Sequence, residues 1–284
     1  MTRLDQYRNC STSGLIGLDS QLIAQIQRIA PNVILPVANS QIDFGAGCHP
    51  YLQRSAILAL NQAIEARKGY RLKINSLYRT LAQQWLLYGH FLNKRCGIVA
   101  AAIPGRSNHN TALSLDCDDA QRWRPYLERF GWDWLGSFDP MHFDFQGVGC
   151  KDICNISIKA FQYLHNFNRS KSEGWLQEDG RWGLQTELAL RAAPIEGFTK
   201  VPDCGAVEEI RAFMQPWRQS LRLKAEGQEV INLQSALKKK GFFPDLVVDG
   251  IFWHRTEEAL KAFQSSAGLV ADGVAGVATW KALS

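Results

Sequence analysis

Two short stretches of the chain hold residue types that together could bind a metal ion. Residues 104–116 carry His109 and Asp116, and residues 139–144 carry His142. Two histidines and one carboxylate form a ligand set that zinc prefers when one coordination position stays open to water. Zinc bound in this way lowers the pKa of its water to roughly 7, which makes hydroxide available near neutral pH.

Alternation of residue types predicts that both stretches end in strands with their ligands on one face. Residues 112–116 alternate leucine with small residues ahead of Asp116, and residues 141–145 alternate apolar residues with His142 and Asp144. Because successive side chains of a strand point to opposite sides, each strand would turn an apolar face to a core and a polar face to a site.

Further polar residues extend this candidate site. Asp139 precedes His142 by three residues and could act as a general base that takes a proton from water and passes it to a leaving amine. Arg79 lies where a predicted strand ends and a helix begins, and it could hold a substrate carboxylate or stabilise an oxyanion. Any single histidine could equally be an ordinary buried residue. On spacing alone, three other carboxylates remain as alternatives for the acidic residues of this site: Asp118, Asp119 and Asp144.

The surrounding pattern favours an α+β domain that ends near Gly149. Helical spacing of apolar residues predicts helices at residues 19–30, 50–68, 81–93 and 121–130. Alternation predicts a strand at residues 71–77. Asp19 or Ser20 is expected to cap the first helix and Thr80 the third, with Gln83 completing a capping box.

Beyond Cys154 the motif D-G-x-x-G-x-x-T occurs three times, with Trp253 replacing the second glycine of the middle copy. Each Asp-Gly pair suits a turn that needs a positive φ, and each threonine suits a helix N-cap. The copies begin at Asp179, Asp249 and Asp272, and a glutamine lies on the helix before each of them: Gln162, Gln234 and Gln264. The motif therefore predicts small helical units joined by glycine turns.

Residues 196–229 fit neither pattern. They contain two prolines and an apolar-periodic stretch, which predicts a linker with a helix in it. That stretch is centred on Val207, Ile210, Phe213 and Met214.

Composition excludes several classes of protein. With 46% hydrophobic and 21% charged residues in 284, the chain is of ordinary globular composition. A net charge of +5 without Lys/Arg clusters among aromatics argues against nucleic-acid binding. The chain has no run of about 18 apolar residues, so no membrane span is predicted. The first residues lack a signal-peptide pattern. Seven scattered cysteines favour free thiols with one or two bridges, and Cys150 and Cys154 are close enough to pair.

The candidate site resembles the zinc D-alanyl-D-alanine carboxypeptidase family, which includes VanY-like enzymes and related phage L-alanyl-D-glutamate endopeptidases. The resemblance spans roughly residues 40–147. The serine-histidine-aspartate motif of the family is matched by Ser107, His109 and Asp116. Its acidic residue three before a histidine is matched by Asp139 and His142. Its strand end and the glutamine-bearing helix that follows are matched by Ser76, Tyr78, Arg79 and Gln84.

This resemblance implies a role for each matching residue. The implied ligands of Zn²⁺ are His109, Asp116 and His142. Asp139 is implied as the base and Arg79 as the substrate or oxyanion contact. Substrate-binding roles are implied for Ser107, Tyr78 and Gln84.

The sequence departs from the family pattern at three positions. Ala112 and Ser114 occupy positions where the family usually has glycine and alanine, and both keep the site face small. Asp139 occupies the position where many carboxypeptidases have glutamate. Aspartate at this position is typical of the endopeptidase branch, so the bond that is cleaved stays open between the two branches.

Residues 230–284 resemble a three-helix peptidoglycan-binding domain, and residues 150–195 resemble a partial copy of it. Within these units, Trp253 and Trp280 could stack on sugar or peptide, although tryptophans in so small a unit more often belong to the core. The predicted organisation is a zinc peptidase domain with a mixed or antiparallel sheet at 1–149, the partial repeat at 150–195, a linker at 196–229 and an all-α wall-binding domain at 230–284.

Taken together, these features predict a monomeric zinc metallopeptidase that hydrolyses peptidoglycan stem peptides outside the cytoplasm, associated with the cell wall. The first choice is D-alanyl-D-alanine carboxypeptidase activity. The alternatives are an L-alanyl-D-glutamate endopeptidase of the endolysin type and a catalytically inactive wall-binding protein.

Overall fold

The computed structural model describes residues 1–169, 174–202, 221–226, 228–243 and 247–283. The chain divides into two compact units. The first comprises Met1–Val37 and Gln41–Ala212, and the second comprises Ala38–Ser40 and Phe213–Ser284. None of the helices that the structure describes is long and apolar enough to cross a membrane.

A mixed five-stranded sheet forms the centre of the first unit. The strands of this unit are β1 (Leu35–Pro36), β2 (Ile42–Phe44), β3 (Tyr51–Leu52), β4 (Leu72–Ser76), β5 (Ser114–Cys117), β6 (Trp132–Trp134) and β7 (His142–Phe145). The sheet has the order β2-β4-β5-β7-β6, and β1 pairs separately with β3. Strands β2 and β4 are parallel, and the other neighbours are antiparallel. The predicted α+β class with a mixed sheet is confirmed.

The helices of the first unit fall into two groups. They are α1 (Ile16–Ile29), α2 (Arg54–Ala66), α3 (Leu81–Leu92), α4 (Ala120–Glu128), α5 (Cys154–Phe167) and α6 (Leu184–Arg191). Helices α2 and α4 share a core with the apolar face of the sheet, where Leu115 and Phe143 are completely buried. Burying each such side chain stabilises the fold by about 1.5–3 kcal/mol. The opposite face of β5 and β7 is left for polar side chains.

A second core joins α1, α3, α5 and α6. Leu18 of α1, Phe161 of α5 and Leu190 of α6 are completely buried in it. The boundary predicted at residue 149 therefore does not separate two units, because residues 150–195 bury their apolar side chains against the N-terminal helices. A disulfide between Cys10 and Cys96 also lies in this unit.

The cysteine predictions have a mixed outcome. The Cys10–Cys96 disulfide is one of the one or two bridges that the sequence favours. Cys150 and Cys154 do not pair and are free, as are Cys48 and Cys117. Cys204 lies outside the described residues.

The predicted helix starts were partly wrong. Thr80 caps α3 as expected, since its side chain accepts a hydrogen bond of 3.1 Å from the Gln83 amide. Gln83 does not complete a capping box, because its side chain donates to the Gly47 carbonyl oxygen instead. Helix α1 begins at Ile16, so Asp19 lies inside it and is fully buried rather than capping it.

Helices and isolated β-bridges make up the described part of the second unit. It contains α7 (Gln228–Lys239), α8 (His254–Ser266) and α9 (Val277–Leu283), as the three-helix prediction requires. Leu233, Leu260 and Phe263 form its core together with Trp280. The helix predicted around residues 207–214 lies outside the described residues.

A buried glutamine organises every copy of the repeat. The Nε2 atom of Gln162 donates to Asp179 Oδ1 (3.0 Å), to the Arg181 carbonyl oxygen (3.2 Å) and to Thr186 Oγ1 (3.3 Å), and its Oε1 accepts from the Gly180 amide (2.9 Å). Gln234 and Gln264 make the same four bonds in their own copies.

The repeat turns have the predicted backbone geometry. The φ angles of Gly180, Gly250 and Gly273 are +70°, +76° and +73°, a conformation that favours glycine. The N-cap prediction for the threonines was wrong. Thr186, Thr256 and Thr279 each lie at the third position of a helix, where the buried hydroxyl accepts the glutamine bond.

Candidate metal centre

His109, Asp116 and His142 bring one ligand atom each to a common point. His142 Nδ1 lies 2.9 Å from Asp116 Oδ1, and His109 Nε2 lies 3.2 Å from the same oxygen. The two ring nitrogens are 3.2 Å apart. Among the described residues this is the one group of three or more such side chains that could hold a metal ion, and all three are buried.

Strand register explains how Asp116 meets His142. In the antiparallel pair β5–β7, Asp116 lies directly opposite His142 and Ser114 lies opposite Asp144. Side chains directly opposite each other point to the same side of a sheet, with Cβ atoms about 4.5–5.5 Å apart. The alternation seen in the sequence therefore places both ligands on the polar face of the sheet.

His109 reaches the same point from a short 3₁₀ helix, Asn108–Thr111. Ser107 caps that helix, since its hydroxyl accepts a 3.3 Å hydrogen bond from the His109 amide. Ala112 follows with a φ of +59° and turns the chain into β5. A small side chain suits this left-handed position, which costs energy for residues other than glycine.

Hydrogen bonds on the outer side of each ring fix which nitrogen faces the cluster. His109 Nδ1 lies 2.6 Å from the Leu77 carbonyl oxygen, and since a carbonyl can only accept, Nδ1 carries the proton. His142 Nε2 lies 2.8 Å from Asp144 Oδ1 and donates to that carboxylate. The inner nitrogens, His109 Nε2 and His142 Nδ1, are the ring atoms that face Asp116 Oδ1.

Three such atoms in this proximity need a positive charge between them, which a proton on a ring nitrogen or a metal ion can supply. Two imidazole nitrogens and one carboxylate oxygen are the three protein ligands of an open, catalytic type of zinc site, and outer partners of this kind accompany metal-bound histidines. The donor set, its spacing and its outer hydrogen bonds therefore fit a zinc ion.

Electrostatics in the cluster point the same way. Burial opposes ionisation of Asp116, yet His109 and Arg79 hold its pKa well below the usual range. Burial lowers the pKa of His109. Burial also acts against a proton on His142, but its hydrogen bonds to Asp116 and Asp144 outweigh burial and raise its pKa to about 9. The cluster thus keeps Asp116 ionised and, without a metal ion, favours a proton on His142 Nδ1 beside it; a bound metal ion would take the place of that proton.

Arg79 contacts the ligand carboxylate from its other side. Its Nη2 forms an ion pair with Asp116 Oδ2, and its Nε donates to Ser76 Oγ over 2.8 Å. Ser76 is the β4 partner of Asp116 in the sheet, which explains the approach. The side chain of Arg79 is 19% exposed, so the guanidinium is accessible at the edge of the site.

Backbone bonds join the Arg79 loop to the helix of His109. The Arg79 amide donates to the His109 carbonyl oxygen (3.1 Å). The Asn110 side chain donates to the Arg79 carbonyl oxygen (2.7 Å) and accepts from the Gly105 amide (3.0 Å). Asn110 is completely buried, so these bonds hold both loops in one arrangement.

Tyr78 and Gln84 are not brought to the ligands by any described bond. The Tyr78 hydroxyl lies 3.1 Å from Ser157 Oγ on α5, and the ring is 1% exposed. Gln84 is buried and donates to the Ala102 carbonyl oxygen over 2.8 Å. Both side chains thus bond to other parts of the first unit.

Asp139 lies half-buried in the turn before β7. Its carbonyl oxygen accepts a 3.1 Å hydrogen bond from the His142 amide, so the backbone of the two residues is linked. Among the described hydrogen bonds, none engages the Asp139 carboxylate.

The structure separates the three alternative carboxylates. Asp144 holds His142 from outside the cluster and also accepts from Ser114 Oγ (2.6 Å) and Asn108 Nδ2 (2.8 Å). Asp118 pairs with Lys73 at 2.7 Å on the surface, and Asp119 precedes α4 with a φ of +51°. None of the three joins the ligand group found among the described residues.

A buried network next to Arg79 escaped the sequence analysis. Asp19 on α1 is 2.8 Å from His49 Nε2 and accepts from Thr80 Oγ1 at 2.5 Å. All three side chains are almost completely buried. A signal was present, because Asp19 precedes Leu22 by three residues and so lies on the apolar face of α1.

Comparison with known proteins shows what residues of the second unit resemble. Residues 226–283 match the family model described as a putative peptidoglycan binding domain. Two Bacillus cereus proteins, each named spore cortex-lytic enzyme, are 45% identical to this chain over 73 residues. That match covers 26% of this chain and 27% of each relative, so the chain spans about a quarter of the length of the relatives it matches.

The two tryptophans of the peptidoglycan-binding domain have different surroundings. Trp280 is 8% exposed and belongs to the core, as is usual for so small a domain. Trp253 is 50% exposed at the start of α8 and occupies the position of the second glycine in the repeat motif. Only Trp253 of this pair offers a ring face to a ligand.

Proposed function

We propose that this chain is a zinc-dependent metallopeptidase that hydrolyses the stem peptides of peptidoglycan. The observation that carries the proposal is the convergence of three potential ligand atoms, His109 Nε2, Asp116 Oδ1 and His142 Nδ1, within 3.2 Å of one another. Outer hydrogen bonds to Leu77 and Asp144 support it, because they hold the ring protons away from the shared point.

A zinc ion at this point would polarise the peptide carbonyl and supply a water of lowered pKa. His109, Asp116 and His142 would hold the ion. Asp139 would accept a proton from the attacking water and pass it to the leaving amine nitrogen. Arg79 would stabilise the negative charge that develops on the carbonyl oxygen, or bind a substrate carboxylate.

The first choice of reaction is removal of the terminal D-Ala from a D-Ala–D-Ala end. One observation favours a second candidate, L-Ala–D-Glu endopeptidase activity. Asp139 is one methylene shorter than the glutamate found in many carboxypeptidases, and aspartate resembles the endopeptidase branch. Each activity leaves a different fragment, so the two are separable by mass.

Action outside the cytoplasm and at the cell wall is part of the proposal. The peptidoglycan-binding domain at 226–283 supports it, as does the name of the cortex-lytic relatives. The Cys10–Cys96 disulfide adds support, because disulfides persist mainly in oxidising compartments. We propose a monomer whose wall-binding domain keeps the metal centre near its substrate.

Metal analysis combined with mass spectrometry of muropeptides tests the proposal. The purified chain should contain about one zinc per molecule and should release either free D-Ala or new amino termini from sacculi. His142→Ala should lose both zinc and activity. His254→Ala is the matched control, because His254 is exposed on α8 in the second unit. Full activity of a metal-free preparation would overturn the metallopeptidase assignment, and sacculus binding without cleavage would favour an inactive wall-binding protein.

A further inference from the structure

A pocket of about 410 Å³ lies beside the candidate metal centre. Asn108 and Asp144 form part of its wall, and Asp144 also bonds to His142 at 2.8 Å. The pocket is therefore one hydrogen bond away from a proposed metal ligand. Its volume falls within the range of roughly 300–1,000 Å³ that is usual for small-molecule sites.

Two cations on the pocket wall form no ion pair with any residue that the structure describes. Arg106 and Lys151 both line the pocket, and both are exposed. In the part of the chain that the structure describes, neither side chain forms an ion pair. Unpaired cations that face a concave surface are suited to bind an anionic group of a ligand.

The carboxylates on the same wall are already engaged. Asp144 accepts hydrogen bonds from His142, Ser114 and Asn108. Asp152 accepts a 2.9 Å bond from the Cys154 amide at the start of α5. Among the described residues, neither acid forms an ion pair with Arg106 or Lys151, so both cations can contact a ligand.

Buried side chains fix the backbone of both cations. Gln53 is 4% exposed, and it donates to the Lys151 carbonyl oxygen (2.6 Å) while accepting from the Lys151 amide (3.0 Å). Gln53 also donates to the Thr111 carbonyl oxygen (2.8 Å), in the short helix of His109. On the other side, the Gly105 amide before Arg106 bonds to the buried Asn110. Arg106 thus lies on the segment that positions His109, and Lys151 is linked to that segment through Gln53.

We propose that this pocket is a subsite for the free carboxylate of the D-Glu residue of the stem peptide, recognised by Arg106 and Lys151. Arginine can hold a carboxylate with two parallel hydrogen bonds, and lysine adds a compact charge. The inference rests on the proposed function, which supplies the peptide. Amidation of that carboxylate removes its charge and replaces an acceptor by a donor, so the subsite discriminates against the amidated peptide.

Binding measurements test the subsite without turnover. Two synthetic stem peptides, identical except that the D-Glu carboxylate is free or amidated, are titrated by calorimetry into the zinc-loaded Asp139→Asn protein. The free peptide should bind at least about tenfold more tightly, since a hydrogen bond between charged groups contributes about 1.5–3 kcal/mol and 1.4 kcal/mol is tenfold. Adding Arg106→Gln and Lys151→Gln should abolish this preference.

The controls replace exposed cations that do not line the pocket. Arg122→Gln and Lys159→Gln, on α4 and α5, should leave the tenfold preference intact. The subsite is overturned by any of three results: the two peptides bind equally well, neither peptide binds, or the preference survives Arg106→Gln with Lys151→Gln. Failure of the zinc-loaded, unsubstituted protein to cleave either peptide overturns the proposed function, and the affinity comparison still decides the subsite.

Discussion

Asp144 Oδ1 lies 2.8 Å from His142 Nε2, on the opposite ring nitrogen from the one that faces Asp116. The bond exists because both residues point to the same side of β7, two positions apart. It fixes the tautomer of His142 and raises the basicity of the nitrogen that faces the cluster. Ser114 and Asn108 hold Asp144 in turn, so the orientation of a ligand ring depends on a network of four side chains.

Asp144→Asn should therefore weaken zinc binding. The amide keeps the size of the side chain but removes the charge that polarises His142, and loss of such outer partners lowers metal affinity about 10–100-fold. Competition with a chromogenic chelator measures the change. Asp118→Asn is the control, because the Asp118 side chain bonds to Lys73 and Asn75 at the surface. The zinc affinity of this variant should be unchanged. Equal zinc affinity of both variants would show that Asp144 does not support the metal.

Asp139→Asn should separate metal binding from turnover. An amide cannot take up the proton of the attacking water, and general-base groups contribute about 10²–10⁴-fold to rate. We expect kcat to fall by that factor while zinc content stays at one per molecule. Unchanged turnover would mean that another group is the base. Asp118→Asn again controls for loss of a carboxylate from the first unit.

The grouping of the candidate ligands could be predicted in part, because the local pattern determines which strand face carries them. Period-two alternation placed Asp116 and His142 on the polar faces of their strands, and antiparallel pairing then made them direct neighbours. Asp144 was among the alternatives for the same reason, since it shares that face. Residue spacing alone could not decide which carboxylate faces the inner ring nitrogens of the two histidines. That choice depends on the register between β5 and β7.

Other features depend on contacts between distant residues. The outer partner of His109 is the carbonyl oxygen of Leu77, and a backbone group leaves no trace in the residue types. The sequence predicts Asp19 as a helix cap because aspartate is common there, whereas its partners His49 and Thr80 lie 30 and 61 residues away. The middle repeat was recognised, but nothing local indicated that Phe161 would be buried with the N-terminal helices.

The glutamine networks predict unit-specific destabilisation. Gln162→Ala removes the four bonds of the first-unit copy, and Gln234→Ala removes those of a second-unit copy. Leaving buried partners unsatisfied costs about 1–3 kcal/mol per group. On heating the full chain, Gln162→Ala should lose metal-dependent activity at lower temperature, and Gln234→Ala should lose sacculus binding at lower temperature.

Gln185→Ala controls for replacement of a glutamine on a repeat helix, because Gln185 is exposed on α6. It should shift neither temperature by more than about 1–2 °C, as is usual for surface substitutions within about 0.5 kcal/mol. If Gln162→Ala behaved like this control, the middle network would not stabilise the first unit.

The Cys10–Cys96 disulfide should stabilise the first unit, since it links residues 86 apart in sequence. Closing a loop of this length restricts the unfolded chain, and native disulfides contribute about 2–5 kcal/mol. Reduction should therefore lower the temperature at which metal-dependent activity is lost, and Cys10→Ala with Cys96→Ala should lower it equally. Adding reductant to that double variant should cause no further shift, because the other described cysteines are free thiols. If reductant lowered this temperature in the double variant as much as in the unsubstituted protein, its effect would come from other bonds or from the metal centre.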